Sequence, residues 1–243
     1  MGIQSTIKSM LEQRGYTFGR HPLSRFFRDH DFDVILDVGA NRGQYASELR
    51  KKYGYTKRIV SFEPMKKAFE LLQQEMGSDP AWSGRNWALG AESGEQSINI
   101  AGNSASSSLL DMLPAHSEAA PSSVYVDSET TQVRSLDEVF SEFVEPGKVT
   151  LLKVDTQGYE MEVLKGASSS LSKVTALQIE LSLTPLYDGA PLFENVVAHV
   201  RGQGFLPHWF LPGLRNQASH QQLQMDGLFV REEFIQKFGS ELQ

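Results

Sequence analysis

The feature that most constrains this chain is a recurring pair of elements, an apolar strand that ends on glycine or a carboxylate and then an amphipathic helix. Val34-Ile35-Leu36-Asp37-Val38 reads as a buried strand bounded by Gly39, and Gln44 to Lys52 follows as a helix with Tyr45, Ala46 and Leu49 on its apolar face. Arg58 to Phe62 is a second strand, closed by Glu63-Pro64. Met65 to Met76 is the next helix, with Pro64 near its first turn, where a missing N–H costs little. Further along, Val149 to Asp155 precedes a helix over Tyr159 to Leu171. Ala176 to Leu183 precedes a helix over Asn195 to Arg201 that Gly202 and Gly204 end. Phe205 to Leu211 and Leu223 to Val230 read as two last strands. Such alternation predicts an α/β, doubly wound, mostly parallel sheet with helices on both faces. In these sheets ligands bind beyond the carboxyl ends of the strands, near the switch point of the topology.

The middle of the chain departs from the pattern. A short apolar piece spans Asn86 to Gly90, and a strand is expected over Gln96 to Ile100. Residues 101–123 are rich in Ser, Ala and Pro without periodicity, and a loop of that length inside a domain is usually functional or mobile. Order resumes at Thr131 to Val133 and in a short helix over Leu136 to Phe140. Ile3, Ile7, Met10 and Leu11 recur at helical spacing, so residues 1–32 are expected to form a helical extension packed on a domain spanning 33–243.

Composition narrows the function. The net charge of −7 offers no basic run to a phosphate backbone, so nucleic acid is not the expected partner. The chain has no cysteine, which excludes disulfides, thiolate nucleophiles and Cys-based zinc sites. No segment reaches the ~20 apolar residues of a membrane span, and no signal-peptide pattern opens the chain, so a cytoplasmic protein is expected.

Three places aim chemistry at one crevice. Asp37 to Gly43 (DVGANRG) runs from strand through a glycine turn into a helix. Gly39 and Gly43 permit close backbone approach to a ligand, and Asp37 suits a cationic group, directly or through water. The G-x-G-x-x-G fingerprint and the phosphate loop are both absent, which favours a ligand without phosphates. A plain left-handed turn is the structural alternative. Glu63 ends the next strand, where a carboxylate can accept from both hydroxyls of a ribose; there the alternative is a carboxylate favoured by the following helix's dipole. Asp155 ends the strong strand before Thr156-Gln157-Gly158, and Glu180 lies at the rim of the next strand. Glu160, in a first helical turn, is favoured there without a catalytic task, and Lys153 is expected to snorkel out of the sheet.

The chain resembles the FkbM-type methyltransferase family across roughly Asp33 to Arg231. The resemblance rests on LDVGANRGQY (36–45), VSFEP (60–64), ALG and SGEQSI (88–98), SSSLL (106–110), LLKVDTQGYEMEVLKGA (151–167), LQIELSLTPLYDGAPLFE (177–194) and MDGLFVRE (225–232). Gln157 stands where family members commonly have Glu. The resemblance implies a Rossmann-like sheet of seven strands with the last antiparallel, S-adenosylmethionine as cofactor, and O-methylation of a sugar, glycolipid or natural product. It implies that Asp37, Gly39, Asn41, Gly43 and Tyr45 line the cofactor, that Glu63 holds its ribose, that Asn86 and Ala88 lie along the adenine, and that Pro64 and Asp155 border the same site.

An alcohol is a poor nucleophile at neutral pH, so a general base is expected. Asp155 is the first candidate, and the role requires burial that would raise its basicity. Glu180 and His208 are the others. His116, in the Ser-rich excursion, could close over a substrate, and Tyr187 and Asp188 could meet sugar hydroxyls or form a polar turn. A divalent cation shared by Asp155 and Glu180 is a minority option. A nicotinamide oxidoreductase and a non-catalytic binding protein on the same fold are the rival classes.

Overall fold

In the computed structural model, the described residues are 30–235 together with Leu23, Phe26 and Phe27. The amphipathic spacing at Ile3, Ile7, Met10 and Leu11 lies outside them. The described part of the expected extension is helical at Leu23, Phe26, Phe27 and His30, all of which are buried.

Seven strands form one sheet: β1 (Val34–Val38), β2 (Arg58–Phe62), β3 (Trp82–Arg85), β7 (Thr150–Val154), β8 (Ala176–Ser182), β9 (Phe205–Pro212) and β10 (Gln224–Arg231). Their order is β3-β2-β1-β7-β8-β10-β9. β3, β2, β1, β7 and β8 pair in parallel, and β10 runs antiparallel to both β8 and β9. The chain reverses direction across the sheet between β1 and β7, so the switch point falls where the sequence placed its crevice.

Period-two alternation divides the core. Val34, Leu36, Val38, Leu152 and Val154 face one layer, against α4 (Leu136–Phe143), α5 (Glu160–Lys165) and α6 (Phe193–Gly202). Ile35, Ile59 and Leu151 face the other, against α1 (Gln44–Lys51), α2 (Lys66–Met76) and the Phe26–Phe27 segment. On that second face each apolar strand carries one polar residue at the same height. Ser61 is in register with Asp37, Asp37 with Lys153, and Lys153 with Gln178, so a single polar row crosses four adjacent strands.

Three expectations change. The excursion is organised: β5 (Gly94–Ala101) and β6 (Tyr125–Arg134) pair antiparallel, with β4 (Ala88–Leu89) added beside β6, and the connection holds the short helix α3 (Pro114–Ala119). The helix expected over Tyr159 to Leu171 stops at Lys165 and resumes as a 3-10 turn over Ser170–Lys173. Side-chain spacing permits continuation, but Gly166 passes the backbone of Gly90 so closely that a Cβ there would lie 1.9 Å from the Gly90 carbonyl oxygen. Lys153 does not snorkel; it is buried in the polar row.

Candidate active site

The exits of β1, β2 and β7 stay tied together beyond the strands. Gly39 and Ala40 both donate to the Phe62 carbonyl at 3.0 Å, and the Asp155 N–H donates to Val38 at 3.1 Å. A cavity of about 520 Å³, counting its open mouth, lies against these exits. Its walls include Gly39, Asn41, Glu63, Pro64, Ala88 and Asp155, and also Thr156, Gln157 and Tyr159. The excursion supplies Ser104, Ala105, Ser107, Ser108 and Leu109, and so covers the cavity as a strap. Those strap residues overlap the quoted SSSLL stretch, whose place at the site has no signal in spacing, because the contact arises from a segment far away in the chain.

The glycine turn also has a packing reason that the sequence does not show. Gly39 has φ +76°, and a Cβ on it would lie 1.8 Å from the Asp155 carbonyl oxygen. A Cβ on Gly43 would meet Leu72 and the Trp82 ring at 2.8 to 2.9 Å. Both glycines thus answer to the chain's own packing; Gly39 lines the cavity and Gly43 does not.

Glu63 is 3% exposed, and both its oxygens accept from backbone: Oε2 from Asn41 N at 2.7 Å, Oε1 from Met65 N at 2.9 Å. Burial pushes its pKa up to about 7 against those two hydrogen bonds. Asn41 takes a positive φ of 47° and accepts from the Ser104 hydroxyl at 3.2 Å on Oδ1. Its Nδ2 is buried without a hydrogen-bond partner, an orphan donor on the cavity wall that points to a missing acceptor.

Asp37 finds its cation inside the protein. Lys153 Nζ lies 3.1 Å from Asp37 Oδ1, 3.2 Å from the Gly39 carbonyl oxygen and 3.5 Å from Asp155 Oδ2. Burial alone would depress the lysine, but the Asp37 and Asp155 charges outweigh it and hold the ammonium well above the ordinary range. Tyr45, placed on the cofactor by the resemblance, lies behind this group instead. Its ring sits under Lys153 Nζ at 5.4 Å and its hydroxyl donates to Gln178 at 2.8 Å. Asn86 is also off the cavity wall, and its amide braces the Glu63 and Pro64 carbonyls at 2.9 and 3.0 Å.

On the far wall Asp155 is 34% exposed at its side chain, so the deep burial expected of it is missing, and what distinguishes it is its place on the cavity wall. Glu180 is half-buried at the rim of β8. Burial, then the charges of Asp155, Glu160 and Asp226, raise its pKa well above an ordinary glutamate. The space between the two carboxyls, where a shared cation was considered, is filled by the Gln157 amide, which donates to Asp155 Oδ1 and Glu180 Oε2 at 2.8 Å each. Among the described residues no group of three or more His, Asp or Glu forms a metal cage. Glu160 reaches back to the N–H groups of Thr156 and Gly158, at 2.8 and 3.1 Å.

Neither candidate histidine lines the cavity. His208 lies on the edge strand β9 and packs on Phe26 and His30 at 5.6 and 5.5 Å, away from the cavity. His116 is 2% exposed inside the strap, bonded to Ser123 at 3.0 Å and packed on the Tyr187 ring. Tyr187 is 1% exposed and spends its hydroxyl on Gln157 Oε1 at 2.7 Å, so sugar contact is closed to it.

Comparison with known proteins identifies a family. A family model described as a methyltransferase FkbM domain matches residues 37–207. The methyltransferase sdnD of Sordaria araneosa is 29% identical over 173 residues, covering 58% of this chain and 65% of its own. The hexuronic acid methyltransferase AglP of Haloferax volcanii is 28% identical over 185 residues, covering 72% of this chain and 69% of its own. The crystal structure of methyltransferase FkbM from Methylobacillus flagellatus KT is similar at a TM-score of 0.47 and 14% identity, over 86% of this chain and 48% of that one. This chain therefore spans just under two thirds of the first relative's length and about half of that solved chain.

Proposed function

Because the chain belongs to the FkbM methyltransferase family, we propose that it transfers the methyl group of S-adenosylmethionine to a hydroxyl of a sugar, glycolipid or natural product. The observation that carries the reading is the cavity itself: a floor of bare backbone at Gly39, an orphan amide at Asn41, and a buried carboxylate at Glu63, all at the switch point of a parallel sheet. These residues fit a nucleoside without phosphates. Glu63 has lone pairs beyond the two its backbone bonds use, and Asn41 Nδ2 offers a donor that nothing in the protein satisfies. Pro64, Ala88, Leu89 and Ile98 supply the apolar wall that a purine requires. A sugar acceptor is supported by the relative named as a hexuronic acid methyltransferase, and the net charge of −7 supports a small or glycan acceptor over nucleic acid. Among the described residues no helix is long and apolar enough to cross a membrane.

When bound, the cofactor supplies a methyl on a sulfonium, already activated toward an oxygen nucleophile. The protein's part is to orient the acceptor and take its proton, and in-line alignment is worth ~7–11 kcal/mol of the barrier. Asp155 lines the cavity and Glu180 does not, so Asp155 is the group placed to receive the hydroxyl proton, with Lys153 holding it from the side opposite Gln157.

The test is methyl transfer from labelled S-adenosylmethionine to a panel of sugars, glycolipids and polyketide alcohols, with and without chelator. Calorimetry with S-adenosylhomocysteine accompanies it. Saturable binding and label in an O-methyl product are expected. Absence of any binding by the folded protein refutes the reading.

A further inference from the structure

We propose that Gln157 is a positioning residue: its amide yokes Asp155 and Glu180 into one pair beside the acceptor, and its being an amide rather than an acid sets how many protons that pair carries. The inference rests on the methyl-transfer reading for its function, but not for its structural content.

The two hydrogens of Nε2 are both committed, one to Asp155 Oδ1 and one to Glu180 Oε2, each at 2.8 Å. Oε1 accepts from the buried Tyr187 hydroxyl at 2.7 Å. This orientation gives each carboxyl a donor and the Tyr187 hydroxyl an acceptor, whereas a flipped amide would set its oxygen against the Asp155 carboxyl. The backbone is held as tightly. Gln157 has a left-handed φ of 57°, its carbonyl accepts from Ser108 Oγ at 2.7 Å, and a Cβ on the following Gly158 would meet the Tyr187 side chain at 2.8 Å. One residue, through its side chain and its carbonyl, thus connects the exit of β7, the rim of β8, the strap and the 184–192 segment.

The charged and titratable surroundings give the amide its consequence. Asp155 and Lys153 face Gln157 from β7 and its exit, Glu160 from α5, Glu180 from β8 and Asp226 from β10, with Tyr187 and His116 above. Lys153 is the one cation in that set, and Asp37 already shares it. A carboxylate at 157 would stand within hydrogen-bond distance of two others, and the three could persist only by retaining an extra proton. The amide lets Asp155 and Glu180 stay adjacent with a donor for each.

The experiment compares wild type with Gln157→Glu and Gln157→Met in the full chain. Thermal unfolding is followed between about pH 6 and about pH 9. In Gln157→Glu a carboxyl whose folded pKa is raised loses its stabilising protonated form as pH rises, so its deficit against wild type must widen with pH. Gln157→Met removes the donor that favours the ionised Glu180 but adds no carboxyl of its own, so its deficit must widen less than that of Gln157→Glu. Parallel curves for both variants would overturn the proposal, since a merely structural role shifts melting equally at every pH. With an acceptor from the labelled panel, Gln157→Met should lose at least about tenfold in kcat, while the KM for cofactor changes far less. An unchanged kcat also overturns it. S-adenosylhomocysteine calorimetry on the wild type separates the two failures. No binding refutes methyl transfer and leaves the melting result standing, whereas normal binding with parallel melting curves refutes the role of Gln157 alone.

Discussion

Glu63 shows how its surroundings change the chemistry of a carboxyl. Glu63 is enclosed and holds two backbone N–H groups, and its pKa rises to about 7. A folded-state value above the unfolded one means its stabilising contribution is complete below about pH 4.5 and lost as pH climbs through about 7, on the order of 3 kcal/mol in all. Gln at this position keeps one acceptor and cannot ionise. Urea denaturation of Glu63→Gln should therefore fall less steeply between about pH 5 and about pH 8 than wild type. In the same window wild-type affinity for S-adenosylhomocysteine should rise as the carboxylate ionises, while the variant's stays level; equal slopes would remove Glu63 from the site. Asp155→Asn should keep S-adenosylhomocysteine affinity within a few-fold and lose about a hundredfold or more in turnover. Full turnover in that variant would eliminate Asp155 as base. Both acids were legible as strand-end carboxylates. Lys153 was misread, because a lysine in an apolar strand usually snorkels, and nothing in linear order reveals that Asp37 lies beside it.

At the scale of elements, the turn after β1 is decided by contact between two strand exits. Gly39 combines a positive φ with a Cβ position 1.8 Å from the Asp155 carbonyl oxygen, whereas Gly54 has φ +69° and open space around it. Gly54→Ala should cost only the left-handed strain of ~1–2 kcal/mol. Gly39→Ala adds an overpacking cost of ~1–3 kcal/mol or more to the same strain. Denaturant unfolding of the pair measures the difference, and equal losses would mean that β1 and β7 separate easily at the site. The same kind of contact explains the shortened α5, whose apolar spacing runs on while Gly166 must pass Gly90. Helix and strand types were readable from period; where the long helix stopped was not, since its stop lies in another part of the chain.

Across the whole molecule, the polar row Ser61–Asp37–Lys153–Gln178 joins four strands on one face of the sheet. Trp82 extends it with an indole N–H donated to Ser61 at 3.0 Å, and Tyr45 reaches Gln178 from above. Removing one partner of a buried ion pair leaves an uncompensated charge and costs ~3–5 kcal/mol. Lys153→Met should therefore destabilise strongly, with Asp37 fully buried and deprived of its cation. The double variant Asp37→Asn with Lys153→Met should be less destabilised than the sum of its singles, by a coupling of ~0.5–3 kcal/mol in equilibrium unfolding. Additive losses would show that the two residues act independently.

The chain's order of elements and the carboxylates at strand ends follow from local period and composition, since each is written within about a dozen neighbouring residues. Pairing across the sheet, the strap over the cavity and the convergence on Gln157 do not, because they join positions tens of residues apart. Asn41 to Ser104, Asp37 to Lys153 and Glu180 to Gln157 meet only once the sheet has closed its switch point.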